Sequence, residues 1–254
     1  MAATRGARSP SVQQAFVLHH YDWSETSLVL DLFTREQGRL AVVAKGAKRP
    51  YSQLRAVLLP FQRIQVGLSR PAKGEAAAEV STLRSAEWVG GHTLPAGAAL
   101  FSAYYLNELL LKFLARQDPH PALFEAYAQT LARLDEPALR AFELRLLAEV
   151  GLLPDLSLSG TRQTPLELER LYTISPETGV LAAEAENPAA LRGTSLVQLQ
   201  AALLHGSPAA LHQACEGAPA QALRAALRGL LQYHLGHKPL RTRQVLLDVQ
   251  KLME

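Results

Sequence analysis

The sequence predicts an α+β protein in which an N-terminal OB-fold β-barrel precedes a mainly helical domain with a small, irregular, β-containing insertion. Residues 1–88 alternate apolar and polar positions in short stretches separated by turn residues, as half-buried strands do. Most of residues 89–254 instead repeats its apolar residues at helical spacing. Residues 152–193 interrupt these helices with a stretch rich in Pro, Ser, Thr and Gly, which predicts the irregular insertion.

The first domain is expected to contain five strands with a short helix between the third and the fourth. The strands are predicted at residues 15–21, 27–33, 39–44, 60–68 and 77–83, and the helix at 52–58. This order of elements is the layout of an OB-fold. Periodicity alone also allows an SH3-like barrel.

The second domain is expected to be built from seven helices. They are predicted at residues 95–117, 121–134, 138–150, 195–204, 208–215, 219–235 and 241–252. Asp135, followed by Glu136 and Pro137, is typical of a helix N-cap. Two short strand-like pieces, at 171–174 and 179–182, lie in the insertion.

Common enzymatic motifs are missing from the sequence. There is no glycine-rich nucleotide-binding motif, no G-x-S-x-G and no H-E-x-x-H, so we expect neither an enzyme nor a cofactor. His234 and His237 are three residues apart, but Gly236 breaks the helix between them and no metal is expected there. The single cysteine, Cys215, excludes an intrachain disulfide.

The chain contains no apolar stretch of membrane-spanning length and no signal-type segment. We therefore expect a cytoplasmic, nucleoid-associated protein with no membrane partner. Its charge is unevenly distributed: residues 1–90 carry a net charge of +5 and residues 221–254 of +4, whereas residues 151–220 carry −4. Basic chain ends around an acidic middle predict a polyanionic partner.

Residues 39–63 form the most basic segment of the barrel, and no acidic residue occurs between Gly38 and Gly74. Such a segment on a small β-domain is the electrostatic signature of a phosphate-backbone binder, although a solvated basic face is the alternative. A second basic set lies near the C-terminus. The predicted DNA-binding residues are Lys45, Lys48, Arg49, Tyr51, Arg55, Arg63, Arg84, Lys238, Arg241 and Arg243. Tyr51 offers a stacking surface for bases.

Several segments, in order and over nearly the whole chain, resemble the bacterial recombination mediator family RecO. They are QAFVLH at 14–19, WSETSL at 23–28, GR at 38–39, VAKGAK at 43–48, TLRSAE at 82–87, LNELL at 106–110, PALR at 137–140 with FEL at 142–144, and LGHKPLRTR at 235–243. No single segment is diagnostic, but the ordered set is highly specific.

The resemblance implies a protein that binds single- and double-stranded DNA and anneals complementary strands without hydrolysing nucleotides. It implies two protein partners, RecR and the acidic C-terminal tail of single-stranded DNA-binding protein, and an indirect role in loading RecA during gap repair. Arg140 matches the P-A-L-R motif that serves tail binding in the family, with Tyr105 and Leu109 as further candidates for the pocket. An exposed Arg140 in an ordinary helical ion pair is the alternative.

The sequence departs from many members of that family in its insertion. Those members carry four zinc-binding cysteines, whereas residues 154–160 here read PDLSLSG and the only cysteine is distant. The sequence therefore predicts the zinc-less branch of the family. A general single-stranded nucleic-acid-binding OB module without annealing or partner binding remains the alternative function. An enzyme acting on nucleic acid is a third hypothesis, which needs a metal site that the sequence does not offer.

Overall fold

The computed structural model describes residues 11–69, 80–90, 93–160, 162–236 and 239–253. The chain forms two compact units. The first contains the described residues up to Leu94 together with Leu114–Phe124, and the second contains Pro95–Phe113 and the residues from Glu125 onward. The domain boundary proposed after residue 88 stays a prediction, since the units do not follow a single cut of the chain.

The first unit is a closed five-stranded barrel. Its strands are β1 (Ser11–Asp22), β2 (Leu28–Thr34), β3 (Gly38–Ala44), β4 (Arg63–Ser69) and β5 (Val80–Trp88), in the order β1-β2-β3-β5-β4. Neighbouring strands are antiparallel except β3 and β5, which pair in parallel. The short helix α1 (Leu54–Val57) lies between β3 and β4. This topology confirms the OB-fold and rules out the SH3-like alternative.

The barrel core follows from the alternation of apolar residues along its strands, because successive side chains of a strand point to opposite faces. Residues two apart face the interior and are 0–4% exposed, among them Ala15, Val17, Leu30, Leu32, Leu40, Val42, Ile64 and Val66. The side chain of Ala47, in the loop after β3, is fully buried in the same core.

Strands β4 and β5 differ from their predicted limits. The fourth strand was expected from Pro60 but begins at Arg63, because Phe61 adopts a left-handed backbone conformation with φ of 69°. The fifth strand was expected to end at Leu83 but continues to Trp88, where it still pairs with Ile64 of β4. The predicted start of this strand lies outside the described residues.

A segment after the first long helix returns to the barrel. The backbone N–H of Gln117 donates to the carbonyl of Arg39 at 2.9 Å, and the guanidinium of Arg39 donates to the carbonyl of Leu114 at 3.3 Å. Gly38 makes this approach possible, since a Cβ there would lie 1.8 Å from the carbonyl oxygen of Asp118. The helix predicted to reach residue 117 therefore ends at Phe113.

The second unit is mainly helical. The helices are α2 (Ala98–Phe113), α3 (Pro121–Ala132), α4 (Glu136–Glu149), α5 (Gly193–His205), α6 (Pro208–Gly217), α7 (Ala220–His234) and α8 (Arg241–Met253), of which α3 begins in the first unit. A three-stranded sheet, β7 (Gly179–Ala182), β6 (Leu171–Ser175) and β8 (Leu191–Arg192), lies between α4 and α5 in sequence. The predicted N-cap is confirmed, because the Asp135 carboxylate accepts from the backbone N–H of Ala138 at 2.9 Å.

Cys215 is buried, and burial raises the pKa of its thiol to about 12. In the part of the chain that the structure describes, every helix is too short or too polar to cross a membrane.

Candidate nucleic-acid interface and peptide cavity

The loop after β3 carries the basic residues that the sequence singled out. The buried Ala47 fixes the loop to the barrel between Lys45, which is exposed, and Lys48, which is half-buried. Two tight turns follow, in which Arg49 N donates to Gly46 O at 3.2 Å and Ser52 N donates to Arg49 O at 3.0 Å. The loop is therefore held by its backbone while its charged side chains remain on the surface.

Lys48 ties this loop to the turn between β1 and β2. Its backbone N–H donates to the carbonyl of Thr26 at 2.9 Å, and its ammonium donates to the carbonyl of Ser24 at 3.2 Å. The same ammonium lies 3.0 Å from a carboxylate oxygen of Asp22. Lys48 is consequently as much a structural bridge as a candidate phosphate ligand.

The remaining cations of this region are more open to solvent. Lys45, Arg49 and Arg55 are exposed, and Tyr51 is 98% exposed. Lys45, Lys48, Arg49, Tyr51 and Arg55, which we call the basic loop surface, lie within eleven consecutive residues. The exposed cations of this surface can meet several phosphates, whereas the charge of Lys48 is already paired with Asp22.

The other predicted DNA-binding residues have varied surroundings. Arg63 is half-buried, donates to the side-chain oxygen of Gln14 and lies over the ring of Phe124 at 5.4 Å from its centroid. This placement indicates a packing role for Arg63. Arg84 is exposed on β5. Lys238 lies outside the described residues, and Arg241 and Arg243 belong to the second unit, on α8.

Two exposed aromatic residues beside the basic loop were missed by sequence reasoning. Trp23 is 70% exposed and Tyr21 is 50% exposed, both next to the turn that Lys48 contacts. A tryptophan within the polar run Asp22 to Thr26 is the signal that could have identified them, because a core position is rarely flanked by so many polar neighbours.

The second unit contains a cavity of about 640 Å³ between α2, α4, α7 and α8. Apolar side chains form much of its wall, including Phe101, Leu231, Leu235, Pro239, Leu240 and Leu246. Four arginines also line it: Arg140, Arg224, Arg228 and Arg243. An apolar cavity with converging cations fits a ligand that carries both an apolar group and negative charge.

Arg140 lies in a buried polar cluster at this cavity. Its guanidinium lies 2.9 Å from Glu143 Oε1, and its side chain is only 11% exposed. Tyr105 donates a hydrogen bond to the same carboxylate oxygen at 2.6 Å. Arg140 is therefore not an exposed residue, although it does form an ion pair within its own helix, as the alternative expected. Arg140 Nε and Glu143 Oε2 are buried and have no hydrogen-bond partner among the described residues.

The electrostatics of the cavity reflect this burial. Burial raises the pKa of Glu143, although the charge of Arg140 acts in the opposite direction. Burial and the charge of Glu143 raise the pKa of Tyr105, so its hydroxyl remains a donor. Burial and the positive charge of Arg243 lower the pKa of Arg228. Like charges held close together favour the binding of an anion between them.

The two other candidates for the pocket are placed differently. Tyr105 lines the cavity as expected. Leu109 is fully buried and is absent from the residues that form the cavity wall, so it packs in the core instead. Arg243, which the sequence grouped with the DNA-binding residues, shares the cavity with Arg140.

The wall formed by α8 is anchored by Glu108 of α2. Its carboxylate accepts from the backbone N–H groups of Arg241 and Thr242 at 2.8 and 2.9 Å, and from the Thr242 hydroxyl at 2.8 Å. Glu108 thus supplies the N-terminal cap that α8 lacks in its own sequence.

Within the described ranges, histidine, cysteine and acidic side chains do not gather in groups of three or more that could hold a metal ion. His237, one of the two histidines considered from the sequence, lies outside those ranges.

Comparison with known proteins places both units in one family. The family model for the N-terminal part of recombination protein O matches residues 10–92, and that for its C-terminal part matches residues 95–244. The chain is 50% identical to a DNA repair protein RecO of Verminephrobacter eiseniae, with 99% of each chain covered. It is 48% identical to that of Variovorax paradoxus, over 97% of this chain and 99% of the relative. For Polaromonas naphthalenivorans the identity is 46%, over 99% and 100%.

Proposed function

The chain belongs to the recombination protein O family of DNA repair and recombination mediators, which are not enzymes, and we propose that it binds single- and double-stranded DNA and anneals complementary strands. The observation that carries this proposal is the basic loop surface, with Lys45, Arg49 and Arg55 exposed on the barrel. Phosphate contacts from such a surface are independent of sequence, as annealing requires.

The physical basis of annealing is charge screening combined with tethering. Two complementary strands repel one another through their phosphates, and a cationic surface lowers this repulsion at short range. Lys45 and Arg49 neutralise one strand while the protein keeps the second strand nearby. Arg84, Arg241 and Lys238 stay in the proposal as further phosphate contacts. Arg63 stays only as a support for the barrel, because its guanidinium already packs on Phe124.

The cavity of the second unit is proposed as the site for the C-terminal tail of single-stranded DNA-binding protein. An aromatic side chain of the tail enters between the apolar walls, and Arg140 meets the terminal carboxylate. Two features support this role: the buried Nε of Arg140 has no partner among the described residues, and Arg228 and Arg243 suit an acidic peptide. The third arginine, Arg224, already pairs with Glu136. Through this contact and through RecR, the protein promotes the loading of RecA in gap repair.

We further propose that the protein belongs to the zinc-less branch of the family. Residues 152–193 contain neither cysteine nor histidine, the side chains that structural zinc sites use. The lobe formed by β6, β7 and β8 is instead supported by buried apolar residues, among them Leu156, Tyr172, Val180 and Leu191.

An annealing assay tests the proposed function directly. The protein should accelerate the pairing of complementary oligonucleotides in the absence of ATP and divalent metal. Annealing at the spontaneous rate by correctly folded protein contradicts the mediator mechanism and favours a simple binding module. A titration with a fluorescent tail peptide, with and without single-stranded DNA, then shows whether the two sites act independently.

A further inference from the structure

We propose that Trp23, with Tyr21, forms a base-stacking surface for single-stranded DNA at the turn between β1 and β2. The proposal rests on the proposed DNA-binding function and names residues that contact bases rather than phosphates. It commits to one ligand, single-stranded DNA, because an exposed aromatic face beside cations suits unpaired bases on a phosphate backbone.

The turn lies at the end of β1 that β4 does not reach, where β1 pairs with β2 and β2 pairs in turn with β3. Strand β1 pairs with β4 only as far as Phe16, whereas its pairing with β2 continues to Asp22. The residues of β1 beyond Phe16 have no β4 partner. Val17 and Leu18 remain buried, whereas the residues from His19 to Asp22, including Tyr21, are exposed. Trp23 follows at the tip, with 70% of its surface in solvent. The barrel core does not use these rings, although tryptophan usually contributes a large apolar surface to a core.

The tip is nevertheless well ordered by hydrogen bonds. Trp23 N donates to the carbonyl of Ser27 at 3.2 Å, and Ser27 N donates to the hydroxyl of Ser24 at 3.2 Å. An aromatic ring on a fixed turn loses little conformational freedom when a base stacks on it.

The same turn is connected to the basic loop surface. Lys48 contacts Asp22, Ser24 and Thr26 through its ammonium and its backbone N–H, at distances of 2.9–3.2 Å. The turn that carries Trp23 is therefore tied to Lys48, one residue of the basic loop surface. Single-stranded DNA presents its phosphates and its bases at similar spacing along the chain, so one strand can contact both features.

Stacking on Trp23 distinguishes single strands from duplexes. In a duplex the faces of the bases are covered by their neighbours, and only phosphates and groove edges are accessible. The basic loop surface accordingly serves both forms of DNA, whereas the aromatic surface serves unpaired bases. Because every base has a π-face, this contact is tolerant of sequence.

The test compares Trp23→Ala with wild-type protein in binding to oligo(dT), to the same strand with abasic sites and to duplex DNA. Loss of a stacked base predicts a decrease of about 5- to 150-fold in affinity for oligo(dT). Affinity for the abasic strand and for duplex should change little. The slope of log affinity against log salt should also stay unchanged, because no phosphate contact is lost. Trp23→Phe should restore part of the affinity.

Trp88→Ala is the matched control. Trp88 is 60% exposed but lies far from the turn that carries Trp23. It pairs with Ile64 of β4, and Ile64 pairs with Ala15 near the other end of β1. Asp22 is seven residues further along β1 than Ala15, which corresponds to roughly 23 Å of extended strand. The control should bind oligo(dT) like wild type. Since the chain has two tryptophans, Trp88→Phe also leaves Trp23 as the sole indole, whose fluorescence oligo(dT) should quench.

The outcomes separate this inference from the proposed function. If Trp23→Ala binds oligo(dT) normally while Lys45→Glu with Arg49→Glu binds it weakly, the proposed stacking surface is wrong. The proposed phosphate-binding site is then retained. Normal binding by both variants overturns both proposals. Equal losses by Trp23→Ala on normal, abasic and duplex DNA show that the substitution disturbs the turn rather than a base contact, which also overturns the inference.

Discussion

The basic loop surface of the barrel and the arginine-lined cavity of the helical unit use the same chemistry in opposite environments. On the barrel, Lys45 and Arg49 are exposed. In the cavity, Arg140 is 11% exposed and its partner Glu143 is fully buried. The two regions share a positive charge and differ in how much of that charge is surrounded by protein.

This difference determines what each region can recognise. Exposed cations exchange counterions for phosphates, so their binding depends on salt and is insensitive to sequence. A buried arginine in a shaped cavity acts through fixed geometry and is weakly screened by salt. It also needs an internal counter-ion when no ligand is bound, and Glu143 supplies it. The barrel surface suits a polymer, and the cavity suits one specific chain end.

The largest effect is expected from Lys45→Glu with Arg49→Glu on the barrel. Reversing two exposed charges should weaken binding of single-stranded DNA roughly ten- to hundredfold and lower its log–log salt slope by about 1.4. Fluorescence anisotropy at several salt concentrations measures both quantities. Lys48 is avoided because its contacts with Asp22 and Ser24 hold the loop, so its replacement alters structure as well as charge.

Arg162→Glu with Arg170→Glu is the control for net charge. Both side chains are exposed in the insertion, and the pair that Arg170 makes with Glu167 is a surface ion pair of small energetic value. This variant should retain the wild-type salt slope. A wild-type slope in the Lys45/Arg49 variant as well means that the DNA path lies elsewhere.

The next effect concerns Arg140 and binding of the partner's tail. Arg140→Ala alone leaves the buried Glu143 charge uncompensated, which costs about 3–5 kcal/mol of folding stability and obscures any loss of binding. Arg140→Ala combined with Glu143→Gln removes both charges together. The double variant should bind a carboxylate-ended tail peptide about tenfold or more weakly than wild type, while its affinity for DNA stays the same.

Glu143→Gln by itself sharpens the comparison between the two regions. It keeps an acceptor for the Tyr105 hydroxyl but removes the internal charge that competes for Arg140. Since it leaves the charge of Arg140 without its counter-ion, it also lowers folding stability, and a tail ligand restores that charge balance. Its affinity for the tail should equal or exceed that of wild type. Equal tail binding by Glu143→Gln and by the double variant shows that Arg140 does not contact the tail.

Much of the fold could be predicted from local signals in the sequence. The alternation of Leu30 and Leu32 with their neighbours identified β2, and Asp135 identified the start of α4, because each signal acts through contacts a few residues away. Non-local contacts were not visible. The end of α2 at Phe113 depends on the pairing of residues 114–117 with Arg39, which no local pattern encodes.

The candidate site was predictable in its residue types but not in their surroundings. The charge run around Lys45 and Arg49 is contiguous in sequence, so it was found. The cavity is assembled from α2, α4, α7 and α8, and only the structure brings Arg243 to Arg140. Helical spacing identified Leu109 as apolar but could not distinguish the core face from a cavity wall. Trp23 is 70% exposed because it lies in the turn after β1, outside the barrel core, which only the structure shows.

A smaller effect is expected when the α8 wall of the cavity is loosened through Glu108→Gln. Burial opposes ionisation of Glu108, but the hydrogen bonds from Thr242 and Arg241 and the charge of Lys112 outweigh it, so its pKa is lowered. The ionised carboxylate therefore stabilises the fold at pH values above the pKa that Glu108 has in the unfolded chain. This contribution is lost as the pH falls through the lower pKa that Glu108 has in the folded protein. Glu108→Gln should cost about 1–3 kcal/mol at neutral pH, and less in acid.

Denaturant unfolding of wild type and Glu108→Gln at pH 7 and at acidic pH measures this difference. Asp248→Asn is the control, since Asp248 is exposed on the same helix and accepts from the side chain of its neighbour Gln244. The control should show a small change at either pH. A constant gap between wild type and Glu108→Gln across the acid range contradicts a cap that depends on the ionised carboxylate.

The smallest effect is expected from removing metal. A chelator should change the melting temperature by less than about 1 °C, whereas a protein with a structural zinc loses much of its folding energy. The lobe of β6, β7 and β8 has other support: Leu156 and Val180 are fully buried, and Gly160 N donates to the carbonyl of Val180 at 2.7 Å. Elemental analysis should find no stoichiometric zinc.

Gly160→Ala provides the positive control for this lobe, because the backbone approaches closely at that glycine. A Cβ on Gly160 would lie 1.7 Å from the carbonyl oxygen of Thr178, so the substitution forces β7 away from residues 159–160. We expect it to lower the melting temperature by several degrees, corresponding to about 1–3 kcal/mol. If a chelator destabilises the wild type as much as Gly160→Ala does, a metal stabilises the lobe. The assignment to the zinc-less branch is then wrong. A large shift from Gly160→Ala and none from chelation means that close packing holds the lobe instead.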